Sequence, residues 1–259
     1  MYPNPLKQRL KNGEIILGSG GILGPSAHLA GTTMDADPDF IWIDSEHMPY
    51  GAEALETLPV LIRQRGVAPM IRVAWNDPAL IKKAFDVGAV AVMVPQIDTP
   101  EEAARAVEYA RYAPEGKRGL SPMWTRIAGE DWNQVIKSAN EETVLVLQME
   151  SKQAYENIDE IVKVPGIDVL MVGPLDLSAT LGVITDTGAK EVQEIMEDVP
   201  KRLEGTGIAA ATTLMDVAEI QEKIRWGYRL LNVGSVVGYG AQVLKQNLET
   251  LRADPRGEK

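Results

Sequence analysis

The 259-residue sequence contains no cysteine, only two histidines and only two phenylalanines. The missing cysteines exclude disulfide frameworks, thiolate zinc sites, iron–sulfur clusters and a cysteine nucleophile together. They accord with a reducing compartment. A basic surplus is also missing. Lys and Arg number 26 against 37 Asp and Glu, for a net charge of −11, so no basic surplus exists to release counterions from a nucleic acid. No run approaches the roughly 18–20 apolar residues of a membrane span. The opening segment MYPNPLKQRLKNGE lacks the apolar stretch of a signal peptide. These absences lead us to expect a soluble, cytoplasmic protein with neither nucleic-acid nor membrane partners.

Hydrophobic residues make up 45% of the chain and charged ones 24%, the mix of an ordinary globular protein. Short apolar, β-branched runs at 15–18, 40–44, 70–74, 91–95, 143–149, 169–172, 208–212 and 230–233 predict eight strands. Most are continuous runs, which suits parallel strands covered on both faces. Segments 52–65, 78–87, 100–112, 153–162, 189–203, 217–226 and 240–252 carry apolar residues at three- and four-residue spacing and predict helices. Thr99-Pro100-Glu101-Glu102 and Asn76-Asp77-Pro78 read as helix starts, a capping residue followed by proline at the first helical position. Eight strands alternating with helices predict an α/β fold, a (β/α)8 TIM barrel forming one domain over residues 1–259. An open doubly wound sheet is the alternative.

In such a barrel the chemistry sits at the C-terminal ends of the strands. Four ends carry polar groups: Asp44-Ser45-Glu46-His47, Arg72, Gln148-Met149-Glu150, and Gly173-Pro174-Leu175-Asp176. His28 falls in an expected first helix at 25–30 and reads as structural. His47 directly follows a strand and two carboxylates, where an imidazole can be tuned for proton transfer or simply close a turn. Glu150 and Asp176 come from neighbouring strands. They can converge on a hard, oxygen-seeking cation such as Mg²⁺ or Mn²⁺, or cap the helices that follow. Arg72 lies among apolar residues and needs an anionic partner, either a structural carboxylate or a substrate's. The glycine turn Gly18-Ser19-Gly20-Gly21-Ile22-Leu23-Gly24 fails the dinucleotide fingerprint, because the third glycine falls on Leu23. No lysine sits on a predicted strand, which argues against imine chemistry.

Phe40-Ile41-Trp42-Ile43-Asp44-Ser45-Glu46-His47 resembles a strand end of the metal-dependent hydroxy-keto-acid aldolases, in the phosphoenolpyruvate/pyruvate barrel superfamily. The similarity continues through Asn76-Asp77-Pro78, residues 82–88, Val94-Pro95, Arg118-Gly119, Gln148-Met149-Glu150, residues 164–168 and residues 173–178. The resemblance implies a divalent-metal-dependent pyruvate aldolase, a lyase that cleaves or forms 4-hydroxy-2-oxo acids through a metal-stabilised pyruvate enolate. Its cofactor would be Mg²⁺ or Mn²⁺, with Co²⁺ a further possibility. Its substrates would be pyruvate or oxaloacetate and an aldehyde. It further implies a homo-oligomer, usually a hexamer, whose last helix is exchanged between subunits.

By the same resemblance, Glu150 and Asp176 match metal ligands and Arg72 the arginine at the pyruvate carbonyl. Gln148 matches a pyruvate-pocket glutamine, and the backbone of Gly173, Pro174, Leu175 and Asp176 the carboxylate cradle. His47 with Asp86 matches an acid–base pair. Arg126 matches an arginine reaching a neighbouring subunit's site. Three departures bear on the pocket beyond pyruvate. Gly20-Gly21 stand where the family often has tryptophan, Leu175 replaces a usual alanine, and the 120–130 loop is unusual. Trp42, Asp44 and His47 are also similar to the macrophomate synthase subgroup, which decarboxylates oxaloacetate and adds the enolate to a pyrone. A barrel that binds a keto acid without turnover is the non-enzymatic alternative.

Overall fold

Eight parallel strands close on themselves in chain order: β1 (Ile16–Gly20), β2 (Phe40–Asp44), β3 (Ala68–Arg72), β4 (Ala91–Val94), β5 (Val144–Met149), β6 (Val169–Val172), β7 (Ala209–Thr213) and β8 (Leu230–Asn232). Each is hydrogen-bonded to the next, and β8 returns to β1. The expected (β/α)8 barrel is the fold. This computed structural model describes residues 4–20 and 24–257. Residues 21–23 of the glycine turn, including the expected aromatic position at Gly21, lie outside the described residues.

Alternation along the strands sorts side chains into two cores. Phe40, Trp42, Met70, Met93, Val146, Val169 and Met171 fill the barrel. Ile41, Ile43, Ile71, Val92, Leu147, Leu170 and Leu231 pack outward beneath the helices. The inward set continues upward as Asp44, Arg72, Gln148 and Glu150, so the same period of two that fills the barrel aims these groups onto its C-terminal rim. Gly18 leaves the room Phe40 needs: a Cβ there would stand 2.3 Å from the ring.

The helices differ from expectation where a single residue breaks them. Segment 52–65 is a short 3₁₀ turn, Ala52–Leu55, followed by the helix Leu58–Gln64. Pro59 lacks the N–H an interior position needs and instead opens a new helix. Segment 153–162 divides at Asn157 into Lys152–Glu156 and Ile158–Ile161. The helices Pro5–Lys11, Trp124–Ala128 and Trp132–Glu142 were not expected. The first closes the barrel floor, with Leu6 buried in the inner core. Beside it Lys7 Nζ meets Asp168 Oδ1 at 2.5 Å, and Arg111 Nη2 meets Asp168 Oδ2 at 3.0 Å.

One face of the barrel lacks its helix. The last helix, Val236–Ala253, buries none of its residues on its own chain. The outward side chains of Ile15, just before β1, and Leu17, within it, are correspondingly 42% and 40% exposed.

Candidate active site

Asp44 and Arg72 end β2 and β3 and are register partners. Arg72 Nε and Nη2 donate to the two Asp44 oxygens at 2.9 and 2.7 Å. Nη1 meets Glu46 Oε2 at 2.9 Å, and the guanidinium lies over the Trp42 ring, 4.7 Å from its centroid. Arg72 is thus held from two sides and from below. A guanidinium carries five N–H groups. Two are committed to Asp44, and Nη1 pairs with Glu46 by charge without a hydrogen bond, since Glu46 Oε2 has no hydrogen-bond partner.

Glu150 continues the inward alternation of β5. Its Oε1 accepts the main-chain N–H of Gln96 at 2.9 Å, and its Oε2 accepts from Gln148 Nε2. Gly173, next after β6, is there because a Cβ would stand 2.9 Å from both Cβ and Oε2 of Glu150. Pro174, Leu175 and Asp176 form the first turn of the helix Pro174–Thr180, in which Gly173 is the N-cap and no side chain caps the start. The capping role considered for Asp176 is therefore not taken, and its carboxylate faces solvent and the cavity.

Glu46, His47, Gln96, Asp98, Glu150, Ser151, Asp176, Ala179 and Thr180 line a cavity of about 310 Å³ at the rim. Four of these are acids. Burial pushes the Glu150 carboxyl up to about 7, against the opposing Gln96 N–H, and the charges of Asp176 and Glu46 add to the rise. Burial also raises Glu46, against the pull of Arg72. Among the described residues no three His, Asp or Glu side chains converge as a complete metal cage. Two carboxylates that repel each other, with Gln148 Oε1 buried beside them and unpartnered, fit instead a hard cation that keeps positions open for substrate.

The expected pairing of His47 with Asp86 does not form within one chain. His47 is 63% exposed, and its Nε2 lies 3.7 Å from Glu46 Oε2. Asp86 is at the C-terminal end of the helix Pro78–Asp86, which runs from the rim back toward the start of β4. The two residues therefore stand at opposite ends of the barrel. Asp86 faces Arg118 Nη2 at 3.7 Å, and burial pushes its carboxyl up to about 6. Arg126 is likewise remote from its own rim. It is exposed on Trp124–Ala128, whose Trp124 packs with Val60 and Val135 and would touch a Cβ at Gly88. The 120–130 loop thus does not shape this chain's own pocket.

Sequence reasoning named Asp44 and Glu46 only as the carboxylates before His47, not as the partners of Arg72, and gave no role to Gln96 or Asp98. Asp44 and Glu46 were detectable as charges at the end of a buried strand. Asp98, which accepts from Ser151 Oγ, and Gln96 carried no motif at all.

The HpcH/HpaI aldolase/citrate lyase family matches residues 22–240. The chain belongs to this family. It is 34% identical to 2-keto-3-deoxy-L-rhamnonate aldolase of Klebsiella pneumoniae, over 98% of this chain and 95% of that protein. The same enzyme of Escherichia coli K12 is 32% identical, over 99% and 96%. Among solved structures, an HpcH/HpaI aldolase/citrate lyase family protein from Burkholderia cenocepacia superposes with a TM-score of 0.88 at 32% identity, covering 96% of this chain and 99% of that one. Macrophomate synthase shares the fold, with a TM-score of 0.83 at 24% identity over 98% and 91%. This HpcH/HpaI-family protein is a lyase of the metal-dependent aldolase class.

Proposed function

We propose that this aldolase cleaves and forms 2-keto-3-deoxy sugar acids, or closely similar 4-hydroxy-2-oxo acids, giving pyruvate and a short hydroxy-aldehyde. Mg²⁺ or Mn²⁺, with Co²⁺ as a substitute, would be held by Glu150 and Asp176. The observation that carries this reading is the convergence of those two carboxylates on one cavity whose wall, at Glu46, is backed by the anchored Arg72. Four acids against His47 alone in the cavity lining also suit an uncharged aldehyde better than an anionic one.

The divalent ion would supply Lewis-acid polarisation of the keto group and orientation of the pyruvoyl unit. The chain's own groups do the rest. Cleavage requires removal of the proton from the 4-hydroxyl as the bond between carbons 3 and 4 breaks. The bonding pair passes to the pyruvate enolate, which takes a proton at its methylene to become pyruvate. Arg72 offers the N–H groups that Asp44 does not use to the enolate oxygen, its guanidinium already oriented by Asp44 and by the charge of Glu46. Gln148 and the backbone from Gly173 to Asp176 orient the pyruvate carboxylate. His47 takes the hydroxyl proton, on the solvent side of the cavity where an aldehyde enters and leaves.

The assembly we propose is a homo-oligomer, a hexamer, exchanging the helix Val236–Ala253. Val243, Leu244, Leu248 and Leu251 are exposed along it, and Ile15 and Leu17 wait uncovered at β1. A second copy's helix supplies what that stripe lacks. The same assembly would let Asp86 and Arg126 serve a neighbouring rim, since their own is at the far end of the barrel. Among the described residues no helix is long and apolar enough to cross a membrane. We place the enzyme in the cytoplasm, with which the absence of cysteine is compatible.

A panel of 4-hydroxy-2-oxo acids headed by 2-keto-3-deoxy-L-rhamnonate, with oxaloacetate included, tests the reading through pyruvate release. Chelation is expected to abolish release and Mg²⁺, Mn²⁺ or Co²⁺ to restore it. Full activity in a metal-free sample, or no release from any sugar acid, overturns it.

A further inference from the structure

The β4–β5 ladder pairs Met93 with Val146 and Val94 with Leu147. Parallel pairing sends alternate N–H groups across to the neighbour. An unbroken ladder would therefore bring the N–H of residue 96 to the Gln148 carbonyl. That carbonyl accepts instead from Ile97 N–H, at 3.1 Å. Gln96 is one residue more than the ladder needs, a bulge, and its backbone turns left-handed there, with φ +53°. The N–H released from the ladder donates to Glu150 Oε1 at 2.9 Å.

Bulges re-aim groups beside active sites. A non-glycine residue stays left-handed only where its surroundings over-determine it. Among the described residues Asp37 and Thr185 share this conformation, but neither lines the rim cavity. The Gln96 side chain is exposed, and its amide reaches Glu46 Oε1 only at 3.5 Å. What this position delivers is a main-chain donor.

We propose that Gln96 is a positioning residue: the bulge at the end of β4 presents its backbone N–H to one oxygen of Glu150 and so holds that carboxylate in the orientation that receives the divalent cation. The proposal rests on the reading of Glu150 as a cation ligand. It assigns the role to the backbone conformation and not to the glutamine amide.

The test is Mn²⁺ binding by the intact protein at pH 8 with saturating pyruvate, counting free Mn²⁺ by electron paramagnetic resonance. Circular dichroism and the melting temperature serve as controls for folding. Glycine and asparagine accept the left-handed region, so Q96G and Q96N are expected to keep the dissociation constant within about twofold of wild type. Q96A should weaken it, and Q96V should weaken it by about tenfold or more with the fold retained, the usual loss when a group orienting a metal ligand is disturbed. If Q96V fails to fold, the order of glycine, asparagine and alanine decides. Q96G binding as poorly as Q96A or Q96V would assign the role to the side chain and overturn the proposal. Wild-type affinity in all four variants would overturn it equally. Absence of Mn²⁺ binding in the unmutated protein removes the cation reading itself, and is recognised by appearing before any substitution is made.

Discussion

The two ends of the barrel treat buried charge in opposite ways. At the floor, Asp168 faces Lys7 and Arg111 and also accepts the Leu145 N–H at 2.8 Å. Arg111 goes on to Thr143 Oγ1 at 2.7 Å and to the Gly166 carbonyl at 2.8 Å. Around Asp168 the donors and acceptors are matched. At the rim, Glu46, Asp98, Glu150 and Asp176 crowd one cavity whose lining offers a single imidazole. Two of these carboxyls are raised by burial, and Trp42 Nε1, Ser45 Oγ, Gln148 Oε1 and Asn232 Oδ1 are buried without partners. The same strands build both ends, so the contrast reflects use. The surroundings of Asp168 have only to be stable, while the rim holds more carboxylates than its cations balance, which suits a bound divalent cation.

The sharpest way to break that contrast is to injure each end in turn. Asp168→Ala leaves Lys7 and Arg111 facing each other without their carboxylate, and should cost about 3–5 kcal/mol of stability. Urea denaturation measures it, and turnover per folded molecule should stay near wild type. At the rim, Arg72→Lys keeps the charge but loses the planar fork that spans Asp44 and Glu46. Aldol cleavage should fall by about 10²–10³, roughly 3–4 kcal/mol, the usual cost of one preorganised donor. A rim variant that loses stability and keeps its rate, or a floor variant that does the reverse, would erase the distinction.

A smaller effect is expected from pH. If Glu150 holds the cation as proposed it must be ionised to do so, yet burial raises its carboxyl to about 7. Protons and metal therefore compete, and the sign is fixed: affinity is full above 7 and weakens by up to tenfold per unit below it, for one proton released. Titrating Mn²⁺ affinity between pH 5.5 and 8.5 reads the slope directly. Flat affinity across that range would show that Glu150 is not the titrating ligand.

The parts of this molecule that could be read from sequence were those written in side-chain periodicity. Runs such as Val144–Met149 are apolar on both faces because one face fills the barrel and the other meets helices, so their class and order were clear. Arg72 and Glu150 stood out as charges placed where that alternation points inward. The helix at 52–65 was misread because its apolar spacing persists across Pro59, where the backbone cannot follow. Gln96 was invisible for a deeper reason: what it contributes is an N–H freed by one surplus residue in a ladder, and no side-chain pattern records a bulge. Asp86 and Arg126 came from resemblance alone: the fold sets Asp86 at the end of the barrel away from His47 of its own chain, and Arg126, expected at a neighbouring subunit's site, away from its own rim.

Asp86 provides the smallest and most discriminating measurement. Its carboxyl is raised to about 6, first by burial and against the pull of Arg118 and Lys82. An acid whose pKa is higher in the folded than in the unfolded state binds more protons when folded. Stability should therefore fall as pH rises from about 4 to 6 and level off above that window. The shift would correspond to about 3 kcal/mol if fully buried, and screening at this partly exposed site reduces it to roughly 1 kcal/mol. In an isolated chain, Asp86→Asn should then be neutral at pH 4 and stabilising by about 1 kcal/mol at pH 7.5. In the proposed assembly the sign reverses, because Asp86 would meet a cationic or hydrogen-bonding group, His47 of a second copy among the candidates, and the variant would lose that contact. Urea denaturation at the two pH values and at two protein concentrations separates these outcomes. A gain independent of concentration leaves Asp86 as an uncompensated acid of the floor, whereas a loss at high concentration that turns into a gain on dilution ties it to another subunit's rim.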